Sequence, residues 1–217
     1  MTILMDPDSS PVRIGLIADG HGDYDATEQS LRVLRERGVD LLVHLGDFCD
    51  SVRNNGLTDM IRLLRKNGVF AIRGNNDHLV ERMLRDSRPE GDPLRDAIIG
   101  FMGGVPMRMV IDDLCFAHSL PYDAIRSFYE PIDIGTPKRA RWLFRDIPYR
   151  LLFCGHSHMP VFFRWKDGEV TREGLEPGEP LFLQPDERYI MIVGAAYEGE
   201  CALLDRDAGT YERIRIF

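Results

Sequence analysis

A chain of 217 residues, 44% hydrophobic and 29% charged, has the length and composition of a folded domain with a sizeable core, which excludes a wholly disordered protein. Its formal net charge of −8 argues against non-specific nucleic-acid binding, which needs a basic surface. A phosphorylated substrate stays open, because bound divalent cations invert the local field.

Residues 1–11, with their Asp6-Pro7-Asp8-Ser9-Ser10-Pro11 segment, read as a disordered lead-in, and residues 12–217 as one domain. No run approaches the roughly 18 apolar residues of a membrane span, and no basic start followed by an apolar stretch marks a secretory signal. The four cysteines, Cys49, Cys115, Cys154 and Cys201, form no CxxC pair, which leaves a zinc ribbon or disulfide framework little support. A reduced, cytoplasmic protein is the plain inference.

In chain order, residues 12–18 are a largely apolar run, as expected of a strand buried on both faces. Asp25-Ala26-Thr27-Glu28 has capping-box spacing and opens a helix that should stop at Gly38. A strand over 41–45 follows, then a helix to about Asn67 with Met60, Ile61 and Leu64 on its apolar face, then a strand over 69–72. This β-α-β-α-β order predicts parallel strands with right-handed crossovers. A short helix over 78–85 leads into a loop rich in proline and glycine. Strands over 107–111 and 114–117 flank Asp112-Asp113, a hairpin turn. Thr136-Pro137 opens a helix to about Phe144, and the rest, from 151 on, reads as strands with turns at Lys166-Asp167-Gly168 and over 205–209. The fold class is α/β, with two sheets packed together and helices outside.

Polar clusters end the first three strands: Asp19-Gly20-His21-Gly22, Gly46-Asp47-Phe48-Cys49-Asp50 and Gly74-Asn75-Asn76-Asp77. Asp19 to Asp47 and Asp47 to Asn75 are equal intervals of 28 residues. In a parallel sheet the carboxyl ends lie on one edge, where ligands bind, so Asp19, His21, Asp47 and Asn75 should converge. Two later apolar runs end in Ala117-His118-Ser119 and Gly155-His156-Ser157-His158, and four of the six histidines fall in these clusters. Carboxylate, amide oxygen and imidazole form a donor set for borderline divalent ions such as Zn, Mn, Fe, Co or Ni. His44 lies inside the second strand and reads as a satisfied core histidine; His78 reads as the start of the short helix. No Gly-x-Ser-x-Gly elbow or catalytic-cysteine signature occurs.

This ordered set, Asp19-x-His21, Gly46-Asp47-x-x-Asp50, Gly74-Asn75-Asn76-Asp77, His118 and Gly155-His156-Ser157-His158, resembles the calcineurin-like metallophosphoesterase superfamily. Size and strand spacing are similar to its small prokaryotic phosphodiesterase branch. The resemblance implies a four-layer α-β-β-α sandwich of two mixed sheets with helices on both outer faces. It implies that Asp19, His21 and His158 hold one ion, that Asn75, His118 and His156 hold a second, and that Asp47 bridges them. Two cations roughly 3.5–4 Å apart share a hydroxide that attacks phosphorus in line while both polarise the phosphoryl oxygens. By the same resemblance Asp50 orients a ligand histidine, with a cap on the next loop as the plainer reading. Many members carry histidine after the metal-binding asparagine as the proton donor to the leaving oxygen. Asn76 stands there in this chain and has no usable titrating proton, so it is expected to donate a hydrogen bond to a phosphoryl oxygen. Asp77 is expected to assist or to cap the following helix. A small phosphorylated substrate such as a nucleotide fits this reading, with phosphodiester hydrolysis favoured. Phosphomonoester, phosphoprotein or dinucleoside polyphosphate hydrolysis on the same fold is the alternative. A non-catalytic scaffold of the same fold, of the kind found in the endosomal retromer complex, has damaged ligands, whereas all seven positions here are competent. The segment over 122–150, richer in Arg and Lys than in acids, is a candidate substrate-selecting cover; its plainer reading is a solvated helix face with Trp142 and Phe144 packed beneath.

Overall fold

A computed structural model describes residues 10–52, 56–87 and 91–217. The lead-in predicted over 1–11 lies outside the described residues except for Ser10 and Pro11. β1 (Arg13–Ile17), β2 (Leu41–His44) and β3 (Phe70–Ala71) pair in parallel and are joined by α1 (Tyr24–Glu36) and α2 (Leu57–Lys66), the unit expected from the apolar runs. α1 starts earlier than the capping-box spacing suggests. Asp23 is its cap, accepting from Ala26 N at 2.9 Å, because the chain leaves the Asp19 cluster already turning.

α3 (Asn75–Asp86) begins three residues before the predicted start, so the third polar cluster is the first turn of a helix. The proline- and glycine-rich loop after it contains α4 (Pro93–Gly104). Asp92 caps that helix through Leu94 N at 2.9 Å, and Pro93 sits where its missing N–H costs nothing. β4 (Arg108–Ile111) and β5 (Leu114–Ala117) form the predicted hairpin. α5 (Lys138–Asp146) crosses over from β5 to β6 (Leu151–Cys154), which pair in parallel. Its cap is Pro137 with no side-chain hydrogen bond, not Thr136. Phe144 is buried beneath α5, but Trp142 is 52% exposed and is not part of that packing.

The remaining strands are β7 (Val161–Lys166), β8 (Glu169–Gly174), β9 (Pro180–Phe182), β10 (Arg188–Ile192), β11 (Glu200–Asp205) and β12 (Thr210–Arg215). They complete two mixed six-stranded sheets, ordered β3-β2-β1-β11-β12-β9 and β4-β5-β6-β10-β7-β8. Ile14, Leu16 and Val43 from one sheet pack on Phe116, Phe153 and Met191 from the other, forming the central core. A second apolar layer joins the first sheet to α1, α2 and α4 through residues such as Leu31, Leu64 and Met102; a third joins the second sheet to α5 through Leu143 and Phe144. The result is the expected four layers, α-β-β-α. No helix among the described residues is long and apolar enough to cross a membrane. All four cysteines are buried free thiols.

Candidate metal centre

β1 and β2 deliver Asp19, His21 and Asp47, α3 delivers Asn75, and β5 and β6 deliver His118, His156 and His158. The turns after these strands are sharp. Asp19, His21, Asp47, His156 and His158 all have φ between 45° and 71°, a region that non-glycine residues seldom occupy. Among the described residues the other two such residues, Asp112 and Asp167, sit in hairpin turns. Strain of this kind, about 1–3 kcal/mol per residue, persists where the surroundings over-determine it. Here they do. Asp19 N donates to Gly46 O at 3.0 Å, His21 N to Asp47 O at 2.8 Å, Gly155 N to His118 O at 3.0 Å, and His156 N to Asp19 Oδ2 at 2.8 Å.

Two glycines make this density possible. A methyl group on Gly74 would lie 2.1 Å from Asp47 Oδ1, and one on Gly155 would lie 2.4 Å from Asp19 Oδ2. Only a residue without Cβ lets the backbone come this near a carboxylate.

All seven predicted ligands come together. Asp19, His21 and His158 bring ligand atoms within 4.8 Å of one another, as do Asp19, Asp47 and His118. Asp47 Oδ2 lies 3.6 Å from His118 Nε2 and 4.0 Å from His21 Nε2, so one carboxylate reaches both groups. His118 Nδ1 is 2.9 Å from Leu45 O and must donate to it, which leaves a lone pair on Nε2. That lone pair faces Asn75 Oδ1 at 3.0 Å and His156 Nδ1 at 3.2 Å. With the Asn75 oxygen inward, such converging acceptors are compensated by a cation or by a proton on His118. Turned over, the Asn75 amide would instead donate to His156 Nδ1 at 2.9 Å, His118 Nε2 at 3.0 Å and Phe128 O at 3.2 Å. Hydrogen bonding alone favours that turned amide, and a cation favours the oxygen inward. Asp19 Oδ1 is buried and accepts no hydrogen bond, a second atom left waiting for a cation.

The electrostatics agree. Burial opposes a proton on His118, but the Asp47 and Asp19 carboxylates outweigh it and raise its pKa, so without ions a proton acts as the counter-charge. Burial, then the His118 charge, pushes His156 down to about 4, leaving it neutral and ready to ligate.

The residues around the ligands differ in part from expectation. Asn76 Nδ2 donates to Asp47 Oδ2 at 2.6 Å and its Oδ1 accepts from Ser51 Oγ at 2.7 Å, so its amide orients the shared carboxylate. Asp77 is buried and accepts from Asp47 N at 2.8 Å, Cys49 N at 3.0 Å and Gly74 N at 2.8 Å, which ties the second cluster to the helix start. It caps. Asp50 accepts from Val52 N at 2.7 Å, a cap on the next loop. His78, on the fourth residue of α3, pairs Nδ1 with Tyr129 Oη at 3.0 Å. His44 is fully buried with neither ring nitrogen hydrogen-bonded, so it is not the satisfied core histidine the sequence suggests.

Sequence reasoning missed Ser51 and, more consequentially, Tyr197, whose hydroxyl is 3.1 Å from His158 Nδ1. A signal for Tyr197 existed. The apolar run of β10 ends at Gly194 as the other site strands end at glycine-containing clusters, and β10 runs parallel to β6, so its carboxyl end reaches the same edge.

Comparison with known proteins bears on the fold and the family. No curated protein matches the chain. Among solved structures, a metallophosphoesterase from Sphaerobacter thermophilus is 25% identical with a TM-score of 0.75, over 96% of this chain and 89% of that one. An archaeal phosphodiesterase (14% identity, TM-score 0.51, 94% of this chain and 99% of that one) shares the fold. So does a protein serine/threonine phosphatase from Saccharomyces cerevisiae (15% identity, TM-score 0.51, 96% of this chain and 81% of that one). The profile of the calcineurin-like phosphoesterase superfamily domain matches residues 12–196. The chain belongs to that superfamily and is a metal-dependent phosphoester hydrolase.

Proposed function

We propose that this protein is a dinuclear phosphodiesterase acting on a small phosphorylated substrate of nucleotide type. Asp19, His21 and His158 hold one divalent ion, Asn75, His118 and His156 hold the other, and Asp47 is shared. The carrying observation is the buried Asp19 Oδ1, which accepts no hydrogen bond, beside the nitrogen and oxygen donors that converge from Asn75, His118 and His156. When bound, such an ion pair supplies an activated water and charge compensation for the phosphoryl oxygens. Mixed nitrogen and oxygen donors suit Mn, Ni, Co, Fe or Zn.

The chain's own residues account for the rest. Asn76 holds Asp47 in place through two bonds, from its side chain at 2.6 Å and its backbone N–H at 2.8 Å. Asp77 accepts from Asp47 N and so fixes the backbone from which that carboxylate projects. At the position after Asn75 there is no group able to protonate a leaving oxygen. Esters with stable leaving groups are therefore favoured, which supports diester over alkyl monoester hydrolysis. The four reduced thiols suit a cytoplasmic setting.

The test is hydrolysis of bis(p-nitrophenyl) phosphate by chelator-stripped protein, with metal content measured in parallel. Activity should require added manganese, nickel or cobalt and track two ions per chain. Undiminished turnover after stripping would end the metal reading, and preference for a phosphomonoester of the same phenol would end the diesterase reading.

A further inference from the structure

Beyond the seven ligands, one more element reaches the centre: the 3-10 turn Ala196–Glu198 between β10 and β11. It is docked by backbone hydrogen bonds and by the buried Ala196 side chain. Ala196 N donates to Ala18 O at 2.8 Å, and Ala195 forms a parallel bridge with Ala18, the residue before Asp19. This seats the Tyr197 ring edge-on against His21, with centroids 5.3 Å apart, and against His158, 5.4 Å apart. Both belong to the same half of the centre.

The hydroxyl completes the arrangement. Tyr197 Oη lies 3.1 Å from His158 Nδ1 and 3.0 Å from Glu198 Oε1. A phenol has one proton, and an ionised carboxylate only accepts, so that proton goes to Glu198. Tyr197 Oη then accepts from His158 Nδ1–H. The chain of bonds puts the His158 lone pair on Nε2, which lies 3.1 Å from His21 Nε2 and 3.5 Å from Asp19 Oδ1. The carboxylate polarises the phenol and makes it a better acceptor, which in turn raises the basicity of His158.

We infer that Tyr197, backed by Glu198, is a positioning residue that sets the tautomer of His158 and seats His21, so that affinity in the Asp19–His21–His158 half alone depends on its hydroxyl. The inference rests on the dinuclear reading above. In the opposite half His118 is held by the Leu45 carbonyl, a main-chain group that no side-chain change removes. Tyr197 is 38% exposed and its grip rests on side-chain torsions. Among the described residues, no hydrogen bond or ring contact joins this turn to Asn75, His118 or His156, which makes the effect separable.

The experiment is calorimetric titration of chelator-stripped protein with manganese, for the unaltered chain, Tyr197→Phe and Glu198→Gln. Nitrogen-15 NMR of the histidine rings reports the His158 tautomer. Tyr197→Phe keeps both ring contacts and loses only the hydroxyl. It should bind one equivalent as before and the second about 10–100-fold more weakly, the usual effect of losing a hydrogen-bond partner of a ligand. The His158 ring should lose its Nδ1–H preference, and Glu198→Gln, which keeps an acceptor without the charge, should fall between. Unchanged affinities in Tyr197→Phe, or equal weakening of both equivalents, would overturn the inference while leaving the dinuclear reading intact. If the unaltered chain binds no manganese, the dinuclear reading itself fails. Should Tyr197→Phe not fold, an unchanged second affinity and unchanged tautomer in Glu198→Gln would still overturn it.

Discussion

On the Asn75–His118–His156 side of the centre the His118 side chain has no exposed surface, and main chain pins its ring. On the Asp19–His21–His158 side, His21 and His158 are 21% and 30% exposed, and His158 is held by another side chain. A main-chain carbonyl just past the end of β2 brings no side-chain entropy cost and arrives with the fold. A tyrosine on a 3-10 turn must itself be ordered, and it comes from a segment 39 residues beyond His158. The difference teaches that two similar ligand sets need not be equally preformed. One half is assembled when the two sheets pack; the other also needs a later turn to dock.

Asp47 is the carboxylate proposed to serve both halves, so its removal is the hardest test of that contrast. Asp47→Ala should lower diester hydrolysis by more than about 10²-fold, the scale of losing one preorganised electrostatic group, and should weaken both ion affinities. The metal-free protein should not lose stability in proportion, because a buried anion close to Asp19 and Asp77 is gone. Retention of two tightly bound ions and near-normal turnover would show that the halves are independent.

Asn76→Ala sharpens the role of the group behind Asp47. One hydrogen bond to a charged group is worth about 1.5–3 kcal/mol, so the rate should fall roughly tenfold to a hundredfold with ion stoichiometry kept. Across aryl and alkyl esters, the unaltered enzyme should depend steeply on leaving-group pKa, and Asn76→His should flatten that slope. A flat slope in the unaltered enzyme would direct attention to His78, which Tyr129 orients nearby.

Gly155→Ala strikes the more exposed half from below. Its new methyl group would meet Asp19 Oδ2 at 2.4 Å and Ala18 Cβ at 2.8 Å. Overpacking of this kind costs about 1–3 kcal/mol and should displace Asp19, so thermal stability and affinity in that half should fall together. Unchanged melting would mean that the strand end yields more easily than its hydrogen bonds suggest.

An effect seen only in acid concerns His44, which lies beneath both halves. Burial, partly offset by Asp19 and reinforced by His118 and His21, pushes it from 6.5 down to about 3. The unfolded chain takes up a proton that the native state refuses. Stability is therefore fully present above pH 6.5 and is lost as pH falls from there towards 3, by about 1.4 kcal/mol per unit. His44→Phe should make the acid limb of denaturant stability shallower by about one proton. Superimposable acid limbs would show that His44 is protonated in the native protein.

Much of this was legible in residue order. The apolar runs located β1, β2, β3, β5 and β6, and the polar residues just past them include the seven that converge. α4 was not legible, because Pro93, Gly100, Gly103 and Gly104 carry the composition of a loop. The Asp92-Pro93 cap and packing against α3 outweigh those glycines. The start of α3 was misplaced for a related reason: Gly74-Asn75-Asn76-Asp77 has turn chemistry, and only the Asp77 carboxylate accepting from Gly74 N shows that the turn is already helix.

By itself the sequence determined which residue types stand at which strand ends, since hydrophobic periodicity, glycines and polar clusters are properties of neighbouring residues. The tertiary structure alone decided that β11 inserts beside β1, Leu203 opposite Gly15, and that Tyr197 consequently lies against His21 and His158. It also decided that Asn76 is spent on Asp47 and Ser51, not left free to meet a phosphoryl oxygen. Those pairings span up to 188 residues. They are selected by the burial of a whole core between two sheets, a sum over many contacts that no local pattern encodes.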